Sequence, residues 1–261
     1  MRYPFLHTYA TADDVLAFST TREGGVSTEN YASFNVNNYC GDQEECVARN
    51  RQLLCKALQI DVEKLILPHQ THHAKVVCVD EAFLCLTPAE RCVQLEGVDA
   101  LITACSNVCV AVSTADCVPL LFYDPVKKVV AAVHAGWRGT VLYIAKHVVS
   151  MMQSAYASHP QDLEVYIGPS ISLSAFEVGD EVYEAFAAAN FSMEQIACRY
   201  PSGKWHLDLW EANLLTLSSL GVKRDNIHVS GICSYEQYTR FFSARRLTIK
   251  SGRIVSGILL K

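Results

Sequence analysis

Val118-Pro119-Leu120-Leu121-Phe122-Tyr123-Asp124-Pro125-Val126-Lys127-Lys128-Val129-Val130-Ala131-Ala132-Val133-His134 is two apolar runs around one polar break. Each run is strand-sized and rich in β-branched or aromatic residues, and Asp-Pro followed by a lysine pair is turn chemistry. The reading is a hairpin, Val118–Tyr123 against Val129–His134. Beyond it, Ala135-Gly136-Trp137-Arg138-Gly139 leads into Thr140–Ala157. There Leu142, Ala145, Val148, Val149 and Met152 recur at three- and four-residue spacing, which predicts a helix. His159-Pro160 lies just beyond its end.

Working outward, further strands are predicted at Val15–Thr20, Leu65–Leu67, Lys75–Val79, Ala100–Thr103, Val108–Ser113, Leu163–Ile167, Ile227–Ser230 and Ile254–Leu259. Helices are predicted at Glu44–Leu58, Asp180–Ala189 and Leu209–Leu220, the last ending at Gly221, where a helix C-terminus favours glycine. Strands outnumber helices without strict alternation. The class is α/β in the mixed, α+β sense: one domain over 1–261, built around one main mixed sheet flanked by helices. No repeat, low-complexity tract or linker interrupts it.

Half of the 261 residues are hydrophobic and 19% are charged, which supports a sizeable core. The net charge is −5, and no polybasic run exists, which argues against nucleic acid or an anionic membrane as the partner. A few buried arginines still suffice for one phosphate. Met1–Ala17 carries Asp13 and Asp14 where an export signal needs an apolar core, and no apolar run is long enough to span a bilayer. The eleven cysteines are odd in number and sit mostly in apolar segments. The expectation is reduced, mostly buried thiols in a cytoplasmic protein.

Three segments stand apart from the core pattern: His69-Gln70-Thr71-His72-His73, Ser113-Thr114-Ala115-Asp116-Cys117-Val118-Pro119, and His134-Ala135-Gly136-Trp137-Arg138-Gly139-Thr140. Two glycines at a strand-to-helix junction let backbone approach a ligand closely. Trp137 and Arg138 beside them suit stacking and anion binding, or an ordinary tight turn. His72, Cys117 and His134 together match a catalytic zinc with three protein ligands and an open position. They lie far apart in sequence, so spacing alone does not join them.

Read together, Thr21-Arg22-Glu23-Gly24-Gly25-Val26-Ser27, Gln70-Thr71-His72, Thr114-Ala115-Asp116-Cys117-Val118-Pro119, His134-Ala135-Gly136-Trp137-Arg138-Gly139, Ile167-Gly168-Pro169-Ser170-Ile171 and Phe241-Phe242-Ser243-Ala244-Arg245-Arg246 carry a resemblance. The chain resembles the laccase-domain family, once called multicopper polyphenol oxidases. Its members are regarded as purine nucleoside phosphorylases with adenosine deaminase and methylthioadenosine phosphorylase activity. The resemblance implies an α/β domain and a zinc ion in a cleft, with His72, Cys117 and His134 as its ligands. His73 stands where the family usually has glycine. If that position needs a positive φ, histidine tolerates it better than a branched residue. His73 is then a spectator, or an added ligand or proton carrier.

The implied activity is phosphorolysis of adenosine, inosine, guanosine or methylthioadenosine to the base and the pentose 1-phosphate, with deamination of adenosine in the same pocket. Candidate phosphate-binding residues are Arg22, Arg138, Arg245 and Arg246. Asp116, Arg138 and His73 are the candidate catalytic groups, Asp116 as proton carrier or as a residue that orients a ligand. Copper-dependent phenol oxidation is the alternative. Nine histidines without a His-x-His pair argue against a multicopper cluster. A non-enzymatic metal- or nucleoside-binding protein is the third reading.

Overall fold

The quoted hairpin forms as read in the computed structural model, which describes residues 4–201 and 203–261. Val118–Asp124 (β7) and Val129–Ala135 (β8) pair antiparallel, from Val118 opposite Ala135 to Asp124 opposite Val129. The Asp124 carboxylate closes the turn by accepting from the backbone N–H groups of Val126 and Lys127, each at 2.9 Å.

This hairpin is the middle of a six-stranded sheet. Its other strands are Val76–Cys78 (β4), Ala100–Thr103 (β5), Glu164–Ile167 (β9) and Ile227–Val229 (β13), in the order β13-β9-β7-β8-β5-β4. The two outermost pairings are parallel and the three inner ones antiparallel. A five-stranded sheet holds Leu6–Thr8 (β1), Val15–Thr20 (β2), Leu65–Ile66 (β3), Cys109–Thr114 (β6) and Ile254–Leu260 (β14), in the order β1-β2-β14-β6-β3. A small antiparallel sheet is made of Glu177–Val178 (β10), Ala197–Arg199 (β11) and Trp205–Leu207 (β12).

The expectation of one main sheet is therefore corrected: two large sheets lie face to face. Successive residues of a strand point to opposite faces. Leu121, Tyr123, Val130 and Ala132 of the hairpin thus meet Ala17, Val110, Val112 and Ile258 of the other sheet in one core between the sheets. Leu120, Phe122, Val129, Ala131 and Val133 point outward, against the helices Ile144–Tyr156 (α5) and Leu209–Ser219 (α8). On the far side, helix Glu44–Leu58 (α1) covers Phe18, Cys109, Ala111 and Val255 with Leu54, Cys55 and Leu58. The layers run helix, sheet, sheet, helix. Burial on both faces explains why β7 and β8 are apolar at nearly every position instead of alternating.

The helix expected over Thr140–Ala157 is two: Trp137–Val141 (α4) and α5. Tyr143 breaks them with φ +55°, its hydroxyl donating to the Ala189 carbonyl at 2.6 Å and its ring stacked on Phe191 at 4.9 Å. That tertiary anchor outweighs the helical periodicity. Asp180–Ala188 (α6) forms as expected, and α8 ends before Gly221, which has φ +94°. Elements of two to four residues, such as β1 and those of the small sheet, show no period to read. Pro88–Gln94 (α3) is a missed helix with a legible start: Thr87 and Glu90 form a reciprocal capping box around Pro88.

Candidate metal centre

Cys117 is the last residue before β7, and His134 sits in β8 opposite Pro119. Hairpin register alone therefore brings the thiol and the imidazole to one end, away from the 124–128 turn. His72 arrives from the loop between β3 and β4. Gln70 clamps that loop to β6 as a surrogate strand residue: its Oε1 accepts from the Ser113 N–H at 2.7 Å and its Nε2 donates to the Ser113 carbonyl at 2.8 Å.

Asp99, just before β5 and fully buried, completes the frame. Its carboxylate accepts from three successive backbone N–H groups, of Thr71 (3.3 Å), His72 (3.1 Å) and His73 (2.8 Å), and from His134 Nδ1 at 2.7 Å. The His134 bond commits Nδ1 to Asp99 and turns Nε2 to the centre, where it becomes the ligand atom once its proton is displaced by a metal. The left-handed residue of this loop is His72 itself, φ +64°, and His73 is not in that region. The condition raised for position 73, a positive φ, is thus met one residue earlier, at His72.

One donor atom from each of His72, Cys117 and His134 lies within 4.8 Å of the others, and the two imidazole rings meet edge to face at 79°. Zinc holds two imidazole nitrogens and a thiolate with its ligand atoms about 3.5 Å apart, so closing on an ion asks for about an ångström of movement. The donor set fits a divalent ion. Burial opposes ionisation of the Cys117 thiol, but His134 and His72 outweigh it and bring its pKa down to about 6. Burial likewise opposes charge on His134, and Cys117 and Asp99 outweigh that, raising the imidazole to about 9. Thiolate is the form that binds metal.

Gly136 has an ordinary φ of −64°, so its lack of a side chain serves space and not backbone freedom. A Cβ there would lie 3.0 Å from Cys117 Sγ, 3.3 Å from His72 Cδ2 and 3.6 Å from His134 Nε2. Gly136→Ala is expected to fold normally and lose metal affinity on the order of tenfold. Competition against a chelator measures this, and affinity equal to that of the unaltered protein would contradict the geometry.

The three donors line a cleft of about 310 Å³, whose walls include Tyr39, Gln70, Thr114 and Arg253. Ala244 and Ile249 separate it from a second cavity of about 510 Å³ lined by Asp116, Phe176 and Arg245. Asp116, at φ +87°, accepts from Ser234 Oγ and from the Arg245 backbone N–H, both at 2.7 Å, and so ties the 244–247 segment to the Cys117 turn. The Arg245 guanidinium donates to the Glu177 carbonyl. Arg22 is half-buried and donates to the carbonyls of Ala32 and Tyr238, both at 2.8 Å. Arg138 is exposed and covers Trp137, and Arg246 is exposed over Tyr235 and Tyr238. Arg22, His73, Arg138 and Arg246 line neither cavity.

Asp99 and Arg253 lie outside the segments and motifs that stand out in the sequence. Gly97-Val98-Asp99-Ala100-Leu101 does hold a signal, an acid embedded in an apolar strand start, which is nearly always buried with partners.

A His–Cys–His centre at the strand ends of a layered α/β fold defines a candidate mononuclear metal protein. Among the described residues no second group of three His, Cys, Asp or Glu side chains gathers, and no helix is long and apolar enough to cross a membrane. Residues 16–261 match the model of the family described as multi-copper polyphenol oxidoreductase laccase, and the chain belongs to that family. A purine nucleoside phosphorylase from Bacteroides thetaiotaomicron is 46% identical over 99% of this chain and 95% of its own length. Adenosine deaminase RL5, from an unknown prokaryotic organism, is 45% identical over 96% of each chain. The crystal structure of YlmD from Geobacillus stearothermophilus superposes with a TM-score of 0.89 at 32% identity, over 95% of this chain and 93% of that one.

Proposed function

We propose that the chain, working as a single domain in the cytoplasm, is a zinc-dependent purine nucleoside phosphorylase that also deaminates adenosine. The observation that carries this reading is the convergence of His72, Cys117 and His134 on one cleft, with Asp99 behind two of them. Relatives named for both activities support it. Adenosine, inosine, guanosine and methylthioadenosine are the proposed nucleosides, and phosphate is the co-substrate.

Three protein ligands suit one ion, so about one zinc per chain is expected from elemental analysis. Several tightly held copper ions would overturn the zinc assignment. When bound, such an ion supplies Lewis acidity at the cleft. The chain's own residues do the rest. Tyr39, half exposed and stacked on His69 at 4.1 Å, offers a flat face to a purine. Ile249, 76% exposed and lining the same cleft, adds an apolar one. Asp116, with both carboxylate oxygens engaged, positions the wall shared by the two cavities.

Phosphorolysis of adenosine consumes phosphate and forms adenine and ribose 1-phosphate; deamination consumes water and forms inosine and ammonia. Omitting phosphate is therefore expected to abolish adenine and ribose 1-phosphate while inosine still forms. A product chromatogram of adenosine incubated with and without phosphate is the test. Inosine that vanishes together with adenine would mean a single phosphate-dependent pocket state for both reactions. Absence of every product from zinc-loaded protein would overturn the enzymatic reading.

A further inference from the structure

We propose that Arg253 and Thr114 form the subsite for inorganic phosphate in the metal cleft. The proposal rests on the phosphorolytic reading above and assigns its second substrate a place. Arg253 immediately precedes β14, whose first residue, Ile254, pairs with Thr114 at the end of β6. From Thr114 the chain turns through Asp116 to the metal ligand Cys117. Arg253 and Thr114 thus stand side by side at the edge of the centre, and both line its cleft.

The cleft walls contain no aspartate or glutamate, and Arg253 is their one arginine. Its guanidinium is held by main-chain carbonyls: Nη1 donates to Ser251 (2.5 Å) and Gly252 (3.1 Å), and Nη2 donates to Ile249 (2.9 Å). Carbonyls take hydrogen bonds without neutralising charge. No carboxylate forms an ion pair with Arg253 among the described residues. Of the five guanidinium N–H groups, Nε–H and one Nη2–H are left, donors suited to two oxygens of one anion.

Thr114 is 1% exposed, and its hydroxyl has no hydrogen-bond partner among the described residues. Buried hydroxyls are ordinarily paired, so this one calls for a partner from outside the protein. A phosphate held by Arg253 supplies an acceptor oxygen to it. The arginines that the motifs single out are placed otherwise: Arg22, Arg138, Arg245 and Arg246 do not line this cleft.

The test is calorimetric binding of inorganic phosphate to zinc-loaded protein, together with the KM for phosphate and for adenosine. Lysine cannot reproduce a paired-donor edge, so Arg253→Lys is expected to weaken phosphate binding and raise its KM by about tenfold or more. The adenosine KM is expected to stay within about twofold, since the lost contact is to phosphate alone. Thr114→Val is expected to weaken phosphate by several-fold, with Thr114→Ser restoring it. Arg199→Lys, at the exposed end of β11 and outside both cavities, serves as the comparison and should bind phosphate like the unaltered protein. Thermal unfolding and zinc content identify any variant that misfolds, and Thr114→Val carries the test if Arg253→Lys does. Unchanged phosphate affinity in folded Arg253→Lys, or no phosphate binding by the unaltered protein, overturns the subsite. Phosphate binding without any ribose 1-phosphate formation overturns the phosphorolytic reading instead, while the loss in Arg253→Lys still upholds the subsite.

Discussion

Cys117→Ser is expected to give a folded protein that retains almost no metal. The thiolate is the one anionic donor among the three, and His134 and His72 already hold it ionised near neutral pH. A serine hydroxyl stays protonated there and is a hard, neutral, weak ligand. Two imidazoles are then left to hold the ion, and the loss of affinity should be at least about a hundredfold. Cys117 is half-buried, and serine nearly matches its shape, so the stability change should be small, about 1 kcal/mol. Cys109→Ser is the contrast. Cys109 is fully buried against α1 beside Cys55, its thiol is held well above the ordinary range by burial, and among the described residues it belongs to no group of three metal donors. That variant should keep its metal and lose stability. Elemental analysis separates the two. Cobalt loading adds a second readout, because the thiolate-to-metal absorption band must vanish in Cys117→Ser alone. A Cys117→Ser protein with a full complement of metal would remove the thiolate from the centre.

The positions of the strands of the two large sheets, β1 apart, were present in the apolar runs, because strands buried on both faces carry apolar residues at nearly every position. The same property hid the architecture. A strand such as Leu120-Leu121-Phe122-Tyr123 reports that both faces are covered, but not by what. That one cover is a second sheet and the other a pair of helices emerges only when Leu121 and Tyr123 are seen against Val110 and Ile258. The three candidate metal donors were readable for a comparable reason. Residue types suggested them, the family motifs joined them, and strand register brings Cys117 and His134 to one end of a hairpin. The arginines were not readable. Arg22 and Arg245 sit in conspicuous motifs, yet their guanidinium groups brace main-chain carbonyls. Arg253, in the plain stretch Ser251-Gly252-Arg253-Ile254, reaches the cleft because β14 pairs with β6 across more than a hundred residues of sequence.

Asp99→Asn is expected to lower metal affinity by about 10–100-fold although Asp99 is not itself one of the three donors. Its carboxylate has two tasks that an amide cannot perform together. The first is to accept three consecutive N–H groups of the 71–73 turn, which holds His72 at a left-handed φ that costs about 1–3 kcal/mol for a residue with a side chain. The second is to accept the proton of His134 Nδ1, so that Nε2 is the atom presented to the ion. An asparagine oxygen can serve one of these. Its NH2 group would then face a donor in a fully buried site. Asp99→Ala should go further, leaving the buried His134 without its partner at a cost of about 3–5 kcal/mol. The two variants divide the roles. If orientation of the ligands is what Asp99 provides, Asp99→Asn binds metal weakly while its metal-free form keeps more stability than that of Asp99→Ala, which fails on both counts. Chelator competition gives the first quantity and thermal unfolding of the metal-free proteins the second. Full metal affinity in Asp99→Asn would show that the His72 turn and the His134 tautomer are held by something other than this carboxylate.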